Sequence, residues 1–170
     1  MARKRDGGKM EHWQKAIRAS SSSTRTNEEH ARLLVESYEK LLGRPLLEPG
    51  NGTLAERLFH SKMVVLSHGT EADPILNYGN AAALKLWEMD WDRFTSTPSR
   101  YTAEALIRAD RERFMAAVSE QGYADHYTGV RISATGRRFT IQRAAVWNVT
   151  DELGNAIGQA AAFPEYTYLP

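Results

Sequence analysis

The chain has 170 residues, 42% of them hydrophobic and 25% charged, the balance of an ordinary soluble globular domain with room for an appendage. It contains no cysteine, which excludes a disulfide, a thiolate zinc site and a cysteine nucleophile and fits a reducing, cytoplasmic setting. No apolar run approaches bilayer length and no apolar signal core follows the basic N-terminus, so no membrane partner is expected.

The net charge of +1 hides an asymmetry. Residues 1–25 hold seven Lys or Arg against Asp6 and Glu11, which leaves the remainder at −4. A basic arm of this kind can meet an acidic partner, but the run is short and unpatterned and ends in Ser20-Ser21-Ser22-Ser23. It reads as a flexible basic tail, 1–25, and nucleic-acid binding is not expected.

Order is predicted to begin at Thr26, where Thr26 and Glu29 form a capping-box pattern ahead of Leu34, Tyr38, Leu41 and Leu42, with Gly43 as the stop. Thr53 and Glu56 repeat the signature before Leu58 and Phe59, and residues 26–60 read as an N-terminal helical extension. Lys62 to Ser67 and Ile75 to Tyr78 are β-branched apolar runs joined through Gly69 and Asp73-Pro74. Asn80 is an N-cap for a helix over Ala81–Met89. A further helix opens at Thr102 or Asp110, runs through Phe114, Met115 and Val118 and ends at Gly122. Three strands follow between Gly129 and Phe163, turning at Thr135-Gly136 and again over Asp151–Asn155.

A two-strand hairpin, intervening helices and a three-strand meander make the PAS-type pattern. The segments SHGTEADPILNYGN, ALKLWEMDWDRF, TPSR, GVRISATGRRF and AVWNVTDELGNAIGQAAAF, spread over Leu41 to Phe163, resemble the MEKHLA domain, a PAS-like family. The resemblance implies an α+β fold over residues 61–170, a PAS-like five-stranded antiparallel sheet with helices on one face around a cavity. The family occurs as small bacterial proteins and at the C-termini of plant homeodomain-leucine zipper regulators, and the bacterial form is expected here. The hexapeptide that names the plant version is absent, as are homeodomain and zipper patterns, so DNA binding does not carry over.

No phosphate loop, nucleophile elbow, HExxH or strand-borne GxGxxG occurs. His60, His68, Glu71 and Asp73 match no ligand spacing and read as a turn with polar capping, so no metal is expected. Alternation along Arg138–Val149 places Phe139, Ile141, Arg143, Ala145, Trp147 and Val149 on the face toward the helices. A buried Arg143 needs an acidic partner, for which Glu88 or Asp90 would serve, or else an anionic ligand. Gln159 looks the same way from the last strand, Arg100 is presented by the stiff Thr97-Pro98-Ser99-Arg100 loop, and Trp87 and Trp147 bring indole rings.

These five residues, Trp87, Arg100, Arg143, Trp147 and Gln159, are the candidate cavity, suited to a small carboxylate-bearing or aromatic ligand. The expected function is a non-enzymatic sensory or interaction module that binds a small molecule and signals as a homodimer through the amphipathic helix Glu28–Leu42. The alternatives are a small isomerase or hydrolase on a cupped α+β fold and a purely structural dimerisation domain.

Overall fold

The structure, a computed structural model, describes residues 24–104, 112–114, 116 and 118–170. Residues 1–23 of the expected basic tail lie outside the described residues, as do residues 105–111 of the expected helix that ends at Gly122, while Thr24 and Arg25 belong to the first helix.

Helix α1 (Thr24–Leu42) buries Ala31, Leu34, Val35 and Tyr38, one stripe at helical spacing. It begins two residues before Thr26, which therefore lies inside the helix. Gly43 closes it in the left-handed region at φ +69°, its N–H donating to Glu39 O at 2.9 Å. Helix α2 (Leu54–Phe59) has the expected cap, Thr53 Oγ1 accepting from Glu56 N–H at 3.2 Å. The Glu28 carboxylate also accepts from Leu54 and Ala55 N–H at 3.0 and 2.8 Å, tying α1 to the start of α2.

Strands β1 (Val64–His68) and β2 (Leu76–Gly79) lead into α3 (Ala81–Trp87) and the single turn α4 (Trp91–Phe94). Asn80 is fully buried and does far more than cap α3. Its side-chain oxygen accepts from Ala83 and Val65 N–H, both at 3.1 Å, and its amide donates to Leu58 O at 3.2 Å and Met63 O at 2.7 Å. One side chain thus joins the end of α2, the start of β1 and the start of α3. A 3₁₀ turn (Ser99–Thr102) follows, then helical residues 112–114, 116 and 118–121.

Strands β3 (Tyr123–Ile132), β4 (Arg138–Thr150) and β5 (Ala156–Phe163) form the meander. The sheet is antiparallel in the order β2-β1-β5-β4-β3. A short β6 (Glu165–Tyr168) continues the line of β5 beyond Pro164 and pairs with Phe139–Gln142 of β4.

Both faces of this sheet are covered. On one, Phe59, Leu76, Leu84, Trp87, Phe94, Phe139, Ile141 and Phe163 form a core beneath α3 and α4. On the other, Leu34, Val35 and Tyr38 of α1 pack on Val65, Ala145, Trp147, Val149 and Ala162. The α1 stripe is therefore buried against its own sheet, with no need of a second copy.

Strand β4 serves both cores, and this corrects the simple alternation expected for it. Tyr127 pairs with Ala144 and Gly129 with Ile141, so Gln142 and Arg143 together oppose one residue of β3. That is a β-bulge, and Arg143 sits in it at φ +53°. The extra residue flips the face. Phe139 and Ile141 lie under α3, whereas Ala145, Trp147 and Val149 lie under α1. A complementary bulge on β3 places His126 at φ +58°.

Candidate functional site

A small cavity of about 40 Å³ lies between the sheet and the α3 side, lined by Leu66, Leu76, Trp87, Thr102, Tyr127, Arg131, Ile141, Val146, Gln159 and Phe163 among others. A single buried water needs roughly 10–15 Å³ of such space, so the cavity has room for about three waters. Pockets for drug-sized ligands are nearer 300 Å³ and above.

Of the expected site residues, the structure brings Trp87 and Gln159 to this cavity. Trp87 is 1% exposed, its ring edge-on to Phe139 at 5.2 Å. Gln159 donates from Nε2 to Ser119 Oγ at 2.9 Å and Asn148 Oδ1 at 3.1 Å. The other three lie elsewhere. Trp147 is buried on the opposite face, donating its indole N–H to Leu34 O at 3.2 Å and meeting Tyr38 edge-on at 4.9 Å. Arg100 is at the surface, where Nε faces both oxygens of Asp73 at 3.1 Å and the guanidinium lies 4.2 Å from the centre of the Tyr101 ring.

Arg143 was expected inside the core, and that reading is corrected. The bulge turns it outward, and it pairs at the surface with Glu165 at 2.6 Å, not with Glu88 or Asp90. It borders a wider depression of about 290 Å³ on the α1 side, together with Tyr38, Arg44, Asp125 and His126. There Arg44 grips Asp125 with both terminal nitrogens, at 2.7 and 3.1 Å, and this bond holds the Asp125 carboxyl below its usual range.

The buried cation of this fold is Arg131, 5% exposed. It stands directly across from Phe139 on β3 and so shares that residue's inward face. Its Nη1 donates to Val130 O at 2.8 Å and its Nη2 to the Tyr127 hydroxyl at 3.2 Å. Tyr127 stacks in turn on Phe114 at 4.0 Å. A guanidinium carries five N–H donors, so two contacts leave most of its capacity unused. Among the described residues no carboxylate pairs with it. Glu88 accepts from Ser133 and Thr135 instead, and Glu104 from Arg138. A second donor is unsatisfied nearby: the Trp87 indole N–H is buried with no acceptor among the described residues.

Sequence parity could have found Arg131. The Thr135-Gly136 turn, with Gly136 at φ +86°, sets the register that puts Arg131 opposite the apolar Phe139.

On the α1 face, His30 Nε2 lies 3.2 Å from Ser67 Oγ, and burial lowers its pKa. Tyr78 beside it is pushed upward by the same cause. No group of three or more His, Cys, Asp or Glu among the described residues is arranged to hold a metal, and no described helix is long and apolar enough to cross a membrane.

Comparison with solved structures places this architecture among PAS-type folds. The chain superposes on a PAS domain from Colwellia psychrerythraea with a TM-score of 0.54, at 12% identity, over 68% of this chain and 92% of that one. It superposes on an RNA-binding light-oxygen-voltage receptor with a TM-score of 0.56, at 13% identity, over 70% of this chain and 36% of that one.

In sequence, it is 25% identical over 129 residues to the homeobox-leucine zipper protein ATHB-15 of Arabidopsis thaliana, covering 74% of this chain and 15% of that protein. Against the homeobox-leucine zipper protein HOX10 of Oryza sativa subsp. indica the identity is 26% over 150 residues, covering 82% and 17%. The chain thus spans less than a fifth of these relatives' length. They are plant proteins, which leaves the bacterial expectation without support. The MEKHLA domain matches residues 28–168, taking in most of α1 and all six strands. By that match, on a sheet of PAS type, the chain belongs to the MEKHLA domain family.

Proposed function

We propose that this chain is a non-enzymatic sensory module that takes a small organic molecule into the cavity beneath α3 and passes its occupancy through the sheet to α1. The observation that carries this reading is the cavity lined by Trp87, whose buried indole N–H has no acceptor among the described residues, and by the buried Arg131, whose guanidinium has no carboxylate partner among them. Buried polar groups in folded proteins are otherwise almost always paired, and leaving them open is costly. The PAS-type fold and the likeness to a light-oxygen-voltage receptor agree with a sensory role.

The route out is short. Val146 lines the cavity, and the next residue along β4, Trp147, bonds to Leu34 of α1 on the other face. A ligand acts through this route only by preferring one of two α1 arrangements, since equal affinity for both shifts nothing. A homodimer is the proposed recipient of that shift, through the outward side of α1. Its buried stripe already has an intramolecular partner.

Native mass spectrometry of freshly purified full chain tests the first step. A retained small molecule, released on denaturation, is the expected result. Filling the cavity with Ala161→Leu, at a β5 position that also lines it, removes that molecule. If the protein carries nothing, and light scattering and proteolysis of α1 are the same for Ala161→Leu and the parent, the chain is a scaffold and the sensory reading fails.

A further inference from the structure

We infer that the cavity is a receptor for a small monocarboxylate, held by Arg131 with the Trp87 indole N–H as a second donor. This rests on the cavity being a ligand site, as proposed above, and adds the chemical class of its occupant.

The groups left open in this cavity have one polarity. The guanidinium of Arg131 has engaged a backbone carbonyl and a phenol, and both are neutral. Its charge therefore has no counter-ion among the described residues, although the side chain is 5% exposed. The buried Trp87 N–H is a donor only. Two open donors, one of them charged, call for an acceptor with negative charge. A planar carboxylate matches the guanidinium fork and has lone pairs to spare for an indole.

Size and lining narrow the class further. Space for about three waters accepts a carboxylate with a tail of a few carbons and not a large ring system. Most of the remaining wall is apolar, with Leu66, Leu76, Ile141 and Phe163, and its polar members Ser67, His68, Thr102 and Gln159 are already hydrogen-bonded within the protein, which favours a short hydrocarbon tail over a second charge. One cation facing one anion also argues for a monoanion over a phosphate monoester.

The test uses the full chain with sodium propionate, and with propionamide as the neutral isostere, at constant ionic strength. The readouts are isothermal titration calorimetry and the indole N–H signals in nitrogen–proton correlation spectra. The Trp87 signal is assigned by its loss in Trp87→Phe. Saturable propionate binding that moves the Trp87 signal, with propionamide weaker by at least about tenfold, is the expected result, tenfold corresponding to one lost charge-assisted interaction.

Arg131→Met should abolish the preference and, without ligand, should unfold at a higher temperature than the parent, because it removes a buried charge that no described residue neutralises. Equal binding of propionate and propionamide overturns the carboxylate assignment while the cavity remains a ligand site. Absence of binding by either, with the Trp87 signal unmoved up to about 100 mM (an affinity too weak to matter), overturns both. Should Arg131→Met fail to fold, the comparison of the two probes on the parent chain still decides the matter.

Discussion

Asn80 is where a single atom exchange should be felt most. In Asn80→Ala the cap of α3 is lost, worth about 1 kcal/mol. The Val65 N–H and the Leu58 and Met63 carbonyls also lose a partner bonded at 2.7–3.2 Å in a site with no exposure. Each such group left unpaired costs roughly 1–3 kcal/mol, less where water can follow. A total of about 3–6 kcal/mol is expected, a large part of the 5–15 kcal/mol that typical domains possess. Urea unfolding at 25 °C would show it as a midpoint lowered by roughly 1.5–3 M, taking a slope near 2 kcal/mol per M.

Asn80→Asp sharpens the test. One oxygen keeps the two backbone N–H donors, but the other then faces the Leu58 and Met63 carbonyls and must hold a proton to bond them. The folded-state pKa of that aspartate is raised above its unfolded value of about 4. Its stabilising contribution is therefore present at low pH and lost as pH rises through the folded pKa. A cost below about 1.5 kcal/mol for the alanine variant, or an aspartate variant equally stable at pH 4 and pH 7, would refute this account of the junction.

Three further outcomes are expected. Trp147→Ala should cost about 3–5 kcal/mol, as for large aromatic truncations in well-packed cores, and should make α1 cleavable in limited proteolysis; an α1 still fully protected would count against its docking on the sheet. His30 has its pKa lowered by burial, so the unfolded chain binds more protons just below the ordinary value of about 6.5 and stability falls as pH drops through that window. His30→Gln should flatten the fall between pH 7 and 5 in thermal melts, and an unchanged slope would show that other groups cause it. Arg143→Gly should change stability by no more than about 1 kcal/mol, and upward, because glycine relieves the left-handed backbone at φ +53° while the exposed pair with Glu165 contributes little. A loss above about 2 kcal/mol in urea unfolding would contradict the bulge as described.

How much of this was legible in the chain depended on whether the local chemistry leaves a mark. The caps at Thr53 and Asn80 and the glycine turns at Gly43 and Gly136 were readable because each satisfies a backbone requirement within a few residues. That Asn80 also reaches Leu58 and Val65 was not, because those bonds exist only after β1 and α2 come together. The last strand, β6, was missed since Pro164 reads as an end and the strand itself, Glu165–Tyr168, is only four residues long.

The site was half legible, and strand β4 accounts for much of the error. A bulge built on Arg143 rather than glycine carries no sequence signature, and one unmarked residue inverts every later side chain. That placed Trp147 and Arg143 in the wrong surroundings, whereas Arg131, paired with Phe139 ahead of the bulge, was legible by parity and was passed over.

The bulge at Asp125 and His126 has its own consequence. Among the described residues strand β3 ends the sheet on one side, with no strand paired to its outer row of N–H and C=O groups, the kind of row an extended chain can pair with. Ten straight residues there would make a long template for fibrous stacking. The kink interrupts the row between Ala124 and Tyr127, and the Arg44 fork on Asp125 fixes it from beyond the end of α1. An incoming strand can stay in step only from Tyr127 to Ile132 before its hydrogen bonds fall out of phase. The kink thus works against self-association along this strand by backbone geometry alone.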